Sequence, residues 1–316
     1  LHLSIRRQRQ MCIRDRYFPG SPILTVEGSF ADAVVLETLA LSVLNHDSAV
    51  ATAASRMSIA AGERPLAEMG SRRAAEQSAV AAARAAYIAG FRATSNLEAG
   101  RRWGIPTMGT AAHSWTLLHE TEEEAFRSQI DSLGTDTTLL VDTYDIRTGV
   151  ETAIRVAGTG LGGVRIDSGD LPIVAAEVRA QLDELGATGT RITVTSDLDE
   201  YAIAALAASP VDAYGVGTSV VTGSGYPTAS MVYKLVARQD PSGAWIGVAK
   251  ASTDKASHGG RKAAFRTLVD GVAEAETVVV SDGFEELDTP AEHADGRALQ
   301  TLSLIHISEP TRLGMI

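Results

Sequence analysis

Thr138-Leu-Leu-Val-Asp-Thr-Tyr-Asp145, Val164-Arg-Ile-Asp-Ser-Gly-Asp170, Ile192-Thr-Val-Thr-Ser-Asp-Leu-Asp199 and Ala213-Tyr-Gly-Val-Gly-Thr-Ser219 share one pattern. Each is a short apolar run that stops at acids, glycines and hydroxyls, and an amphipathic stretch follows. Continuous apolar runs of this length read as parallel strands buried on both faces, with helices crossing over between them. In such barrels and sheets the C-terminal strand ends form the active-site face. The pattern therefore predicts an α/β protein with a polar rim of carboxylates and a glycine turn. That layout suits an enzyme handling a sugar phosphate.

Further units extend the pattern on the N-terminal side. Residues 17–30 read as a turn and a short strand, and 31–61 has helical spacing. Ala67–Arg73 breaks the chain before a helix over Ala74–Tyr87. Phe91–Asn96 and Ile105–Thr110 read as strands around a helix near Leu97–Trp103. After Asp170, residues Leu171, Val174, Val178, Leu182 and Leu185 share one helix face, Pro172 sits in the first turn, and Gly186 can close it. From about residue 231 the pattern changes. Met231–Ala237 and Trp245–Ala249 predict strands around the polar turn Asp240–Gly243, an antiparallel appendage.

Composition narrows the function. The chain is 316 residues long with a net charge of −11, which argues against a general nucleic-acid binder. No apolar run is long enough to span a membrane. Cys12 is the single cysteine, so there is no disulfide and no cysteine metal site, and the cytoplasm is the default compartment. Residues 1–16 and 302–316 differ from the rest. MCIRDR and LSLIHISEPTRLGMI resemble translated sequencing-adapter sequence, a reading that accounts for both ends where an Arg-rich targeting peptide accounts for one. The expected division is thus a foreign tail (1–16), a barrel with flanking helices (17–230), a strand-rich appendage (231–301) and a second foreign tail (302–316). Neither tail is expected to join the fold. All four lysines, Lys234, Lys250, Lys255 and Lys262, cluster with Arg261 and Arg266. The island suits either an anionic ligand or a solvated face.

Several residues carry candidate chemistry. Tyr214–Ser219 follows a strand, so its glycines can bring backbone N–H groups to a phosphate, or form an ordinary tight turn. Gly158-Thr-Gly-Leu-Gly-Gly163 fits a dinucleotide template but precedes a strand instead of following one, and is rejected. Arg165 and Asp167 lie two apart on a strand, hence on one face. They can meet one ligand or pair internally, with Asp170 capping the next helix. His113 follows a strand, and Asp142 ends the next one. That pairing would fix the imidazole tautomer, though a lone histidine is often structural. Glu122–Glu124 fit an exposed first helical turn and not a metal site. Arg72 and Arg73 can hold a diphosphate or sit as surface charges. His46 has no evident partner.

The motifs YFPGSP, EMGSRR, ATSNLEAGRRWGIPTMGTAAHS, VDTYD, RIDSGDL, YGVGTS, VYKLV and GGRK occur in this order between Tyr17 and about Arg266. Together they resemble the nicotinate phosphoribosyltransferases. The resemblance implies a type II phosphoribosyltransferase-like α/β barrel with a partial α+β domain, working as a homodimer. It implies transfer of phosphoribosyl from phosphoribosyl diphosphate to nicotinate, with Mg2+ and with ATP hydrolysis coupled through a phosphohistidine. By that resemblance His113 is the phosphorylated histidine and Asp142 its support. Arg165 faces the pyridine carboxylate, Asp167 the ribose and Arg72 the diphosphate. Ser196, Gly217 and Thr218 face the phosphate. Ser95 stands where the related nicotinamide enzyme carries an Asp, and a hydroxyl suits an acid substrate better than a carboxylate does. The family extends further before YFPGSP, including an aromatic that stacks on the pyridine in the partner's site, so a partial chain is expected. The alternatives are a nicotinamide or quinolinate phosphoribosyltransferase, or a non-catalytic barrel that binds a phosphorylated ligand.

Overall fold

A computed structural model of the chain describes residues 18–252, 257–269, 272–281, 299–301 and 305–308. The segment 1–16 lies outside them. In chain order the elements are β1 (Leu24–Glu27), α1 (Phe30–Ala61), β2 (Leu66–Glu68), a 3-10 turn (Ser71–Arg73), α2 (Glu76–Ile88), β3 (Ala93–Thr94), α3 (Leu97–Trp103), α4 (His113–Leu118) and α5 (Glu122–Leu133). Then follow β4 (Thr138–Leu140), α6 (Ile146–Ala157), β5 (Gly163–Ile166), α7 (Leu171–Glu184), β6 (Arg191–Val194), α8 (Glu200–Ala205), β7 (Ala213–Val216) and α9 (Thr218–Val221). The last are β8 (Ala237–Gln239), β9 (Trp245–Gly247), β10 (Arg261–Val269), β11 (Val272–Ser281), β12 (Leu299–Thr301) and β13 (Ile305–Ser308). Two compact units result: Val43–Met231, and the described parts of Leu1–Ser42 with Val232–Ile316.

The first unit holds a six-stranded parallel sheet in the order β3-β2-β7-β6-β5-β4. Its four central and edge strands β4 to β7 are the four opening stretches of sequence. They are buried on both faces, as their unbroken apolar runs require: Leu139, Val164, Ile166, Ile192, Val194 and Val216 have essentially no exposure. Val150, Ala153, Val178, Leu182 and Ile203 from the crossover helices complete the same core. The α7 face is mostly as expected, with Val178 and Leu182 buried and Leu171 and Val174 packed beside the core. Leu185 differs: it has passed the helix end, where Gly186 turns at φ 77°, and it is exposed.

Ile105–Thr110 does not become a strand. Thr107 makes one parallel bridge to Thr94, through bonds from the Thr94 N–H to the Pro106 carbonyl and from the Met108 N–H to the Thr94 carbonyl. Pro106 has no N–H to extend a ladder. Among the described residues the sheet is therefore a curled, partly open barrel wall.

The other unit combines strands with the first part of α1. β10 pairs antiparallel with β11 and β12, and β8 with β9. The Asp240 carboxylate closes the β8–β9 turn by accepting the N–H groups of Ser242 and Ala244. This hairpin begins at Ala237, later than the expected Met231. β13 lies within the segment expected to stay apart, yet it pairs in parallel with β1, Leu24 opposite Ile305. Part of the basic island is tied up internally here. Arg266 is buried against Glu276 at 3.0 Å, Arg261 lies 3.7 Å from Glu27, and Lys262 donates to the His258 carbonyl. Lys255 falls outside the described residues.

Candidate active site

The parallel wall places the ends of β2 to β7 on one rim, and the turn that follows each strand sets one or two side chains over it. Arg165, on β5, is mostly buried, at 14% side-chain exposure. Its guanidinium reaches Asp167 Oδ2 at 2.9 Å, Thr195 Oγ1 at 3.0 Å and Thr110 Oγ1 at 2.6 Å. The Thr195 hydroxyl donates in turn to Asp167 Oδ1. The expected same-face pair is therefore real and closed into an internal ion pair. Burying a cation this far is tolerable because three acceptors share it.

His113 opens α4 above this pair. Its Nε2 lies 3.8 Å from Asp167 Oδ2, and its Nδ1 lies 3.1 Å from Thr143 Oγ1. Asp142 does not make the contact with His113 that the sequence suggested. Its Oδ2 instead accepts the Asp167 N–H at 2.8 Å and the Ser168 hydroxyl at 2.7 Å, and its Oδ1 is buried with no hydrogen-bond partner. The reason is register: Asp142 stands two positions beyond the end of β4, next to the β5 turn, while Thr143 projects toward the histidine. Asp142 thus holds the turn that carries Asp167, and acts on His113 only through it.

Past β6 the chain bends sharply. Ser196 and Asp197 stand at φ 98° and 38°, conformations that non-glycine residues rarely adopt and that collect at functional sites. Past β7, Gly217 precedes the single turn α9, which begins at Thr218. Gly70 lies against that turn: a Cβ there would come within 2.4 Å of Val221 and 2.7 Å of the Gly217 carbonyl. Arg72 extends from the same segment, exposed. Ser95 follows β3, half-buried, its N–H bonded to the Glu68 carbonyl at 2.8 Å.

Some rim residues serve the fold instead. Asp145 and Asp199 cap α6 and α8, accepting helix N–H groups at 2.8–2.9 Å. Asp170 stands at the N-cap of α7 without making a side-chain cap bond. His46 lies 3.1 Å from Asp47, which also pairs with Arg84. Glu122 and Glu123 are half-buried, not exposed as expected. They line a cavity of about 360 Å3 with Tyr144, Asp145, Thr148 and Arg155. Burial, aided by the Asp145 charge, pushes the Glu122 carboxyl up to about 7. A second cavity, of about 630 Å3, lies at the opposite strand ends around Arg64, Arg179 and Asp212. There Arg64 donates to the Leu206, Ala207 and Ser209 carbonyls, a structural tie.

No family model matches the chain. A nicotinate phosphoribosyltransferase of Mycobacterium tuberculosis is 54% identical over 302 residues, covering 93% of this chain and 65% of that protein. One of Bacillus subtilis is 39% identical over 262 residues, covering 79% of this chain and 53% of that protein. By sequence, the chain belongs to the nicotinate phosphoribosyltransferase family. It spans between half and two thirds of the length of these family members. The fold agrees: the crystal structure of a nicotinate-nucleotide pyrophosphorylase from Pyrococcus furiosus superposes with a TM-score of 0.71 at 25% identity, over 85% of this chain and 66% of that one. The curled parallel wall is thus the type II phosphoribosyltransferase fold.

Within this family framework, His113, Arg165 and Asp167 come together directly, with Asp142 one bond behind them. Ser196, Gly217 and Thr218 stand on the neighbouring strand ends, and Arg72 and Ser95 on the two after those. Sequence reasoning missed Thr110, Thr143 and Thr195, which hold the cation and the imidazole in place. One signal was available for Thr195: it lies two residues past Thr193, hence on the same face, and Thr193 pairs with Arg165 in the sheet register.

Proposed function

We propose that the protein is a nicotinate phosphoribosyltransferase of NAD biosynthesis, acting in the cytoplasm as a homodimer. The pyridine nitrogen of nicotinate forms a bond to ribose C1 of phosphoribosyl diphosphate, and the bond from C1 to diphosphate breaks. The products are nicotinate mononucleotide and diphosphate. The observation that carries this reading is the Arg165–Asp167–Thr195 cluster under His113, set on a family-typical rim. Arg165 offers a preformed guanidinium to the carboxylate that distinguishes nicotinate from its amide. Asp167 accepts ribose hydroxyls in this scheme. Ser196, Gly217 and Thr218 offer turn N–H groups and hydroxyls to the 5′-phosphate, and Arg72 a free cation to the diphosphate.

ATP is coupled through His113. With Nδ1–H donated to Thr143, the lone pair lies on Nε2, which takes the γ-phosphoryl group as its bond to ADP breaks. The side chain is 42% exposed, open to that donor. Magnesium fits as a companion of the substrate phosphates. Among the described residues no cluster of three or more His, Cys, Asp or Glu side chains can hold a metal, and this ion is commonly bound by one or two carboxylates plus phosphates. Asp142, with its unpartnered Oδ1, is the carboxylate at hand.

The test is to incubate the protein with nicotinate and phosphoribosyl diphosphate, with and without ATP, and to separate the products. Nicotinate mononucleotide formed faster with ATP is the expected result. Turnover of nicotinamide or quinolinate in preference to nicotinate would overturn the assignment.

A further inference from the structure

Glu68 ends β2 and is fully buried. Among the described residues no Lys, Arg or His lies within ion-pair distance of it, and nothing in the proposed chemistry uses it. Its carboxyl nonetheless bridges two parts of the rim. Oε1 accepts the N–H of Gly70, which opens the turn carrying Arg72, and Oε2 accepts the hydroxyl of Thr94. Thr94 Oγ1 also accepts the Asn96 N–H at 3.0 Å, and Asn96 Nδ2 donates back to Ser71 Oγ at 2.9 Å. Asn96 Oδ1 is occupied separately as the cap of α3, accepting the Ala99 N–H. The result is a closed ring of hydrogen bonds. It runs from Glu68 through Thr94 and Asn96 to Ser71 and Gly70, and Ser95 lies inside it.

We propose that Glu68, Asn96 and Ser71 form a positioning strap that couples the Arg72 turn to Ser95, so that the diphosphate side of the site sets the geometry of the pyridine side. This rests on the function proposed above. A hydrogen-bond network anchored on a buried carboxyl is stiff, and a shift at one end is felt at the other. Burial pushes the Glu68 carboxyl up, against the opposing hydrogen bonds from Thr94 and Gly70, which favours a neutral strut over a buried charge. A neutral amide keeps such a strut with one bond reversed: its oxygen accepts from Gly70, and its NH2 donates to Thr94 Oγ1 in place of the bond Thr94 donates to the carboxyl.

The variants Glu68→Ala, Glu68→Gln and Ser71→Ala separate the possibilities. In Glu68→Ala and Ser71→Ala, KM for phosphoribosyl diphosphate should rise and the nicotinate-over-nicotinamide ratio of kcat/KM should fall together, each about fivefold, the effect of one buried hydrogen bond. Glu68→Gln should restore both. If only one quantity moves in a Ser71→Ala protein that melts like the parent, or if Glu68→Gln is as damaging as Glu68→Ala, the strap is refuted. A parent protein without turnover would instead count against the proposed function. The strap then remains readable by amide exchange. Phosphoribosyl diphosphate should slow exchange at Gly70 and at Ser95–Asn96 together in the parent, and at Gly70 alone in Ser71→Ala. Slowing confined to Gly70 in the parent would overturn it.

Discussion

A residue on this rim is defined by what it is bonded to. His113 has one nitrogen at Thr143 and the other facing Asp167, the arrangement on which the proposed phosphoryl transfer rests. His113→Ala should abolish labelling of the protein by γ-labelled ATP while leaving slow mononucleotide synthesis, and undiminished labelling would remove the histidine from the scheme. Ser95 tests the charge argument. Ser95→Asp adds a like charge beside a desolvated nicotinate carboxylate and removes a donor. It should shift preference toward nicotinamide by on the order of 2–4 kcal/mol in transition-state binding. A kcat/KM ratio for the two pyridines that does not move would refute the role. Glu122 makes a stability prediction. Its carboxyl is raised from 4.5 to about 7, so between those values the folded chain keeps a proton that the unfolded chain has released. Stability therefore falls as pH rises through that window. Because the group is half exposed, the cost is about 1 kcal/mol after discounting for solvent screening. Glu122→Gln should resist urea better than the parent at about pH 8 and equally at about pH 4; an equal gain at both would show that the titration is irrelevant.

At the scale of the element, the strand–turn–helix unit explains why polar residues crowd the rim. Each crossover helix needs its first N–H groups satisfied, so Asp145, Asp199 and Thr121 are caps before anything else. The residues left over, which stand just past the strands, are the candidates for chemistry. Close packing between these units sets other choices. Gly149 in α6 faces the Val141 carbonyl, and a Cβ there would lie 2.3 Å from that oxygen. An exposed helical glycine changed to alanine gains stability, about 0.5–1 kcal/mol. Here the sign should invert, with Gly149→Ala losing about 1–3 kcal/mol in urea unfolding as α6 is pushed off β4. A stabilised variant would mean that the helix approaches the strand less closely than described.

Over the whole molecule, the site belongs to one compact unit, Val43–Met231, with the main core beneath it. Ligand binding at the rim should then stabilise that unit as a body. Phosphoribosyl diphosphate at a hundredfold over its Kd should add about 2.7 kcal/mol to unfolding followed by tryptophan fluorescence. An unmoved midpoint would argue that the ligand binds elsewhere. The sequence by itself pointed to the parallel wall, because short apolar runs that end in polar turns and alternate with amphipathic stretches fit strands covered on both faces by crossover helices. Its ordered motifs pointed to the family and, through that resemblance, to most of the residues found on the rim. Only the tertiary structure decided who pairs with whom. Asp142 turned out to brace the Asp167 turn and not the histidine, Ile105–Thr110 contributed one bridge and not a strand, and Ile305–Ser308 joined β1 where no structure was expected. Partners of this kind depend on register and on the few ångströms between neighbouring strands, and a one-dimensional pattern carries no distances between residues far apart in the chain.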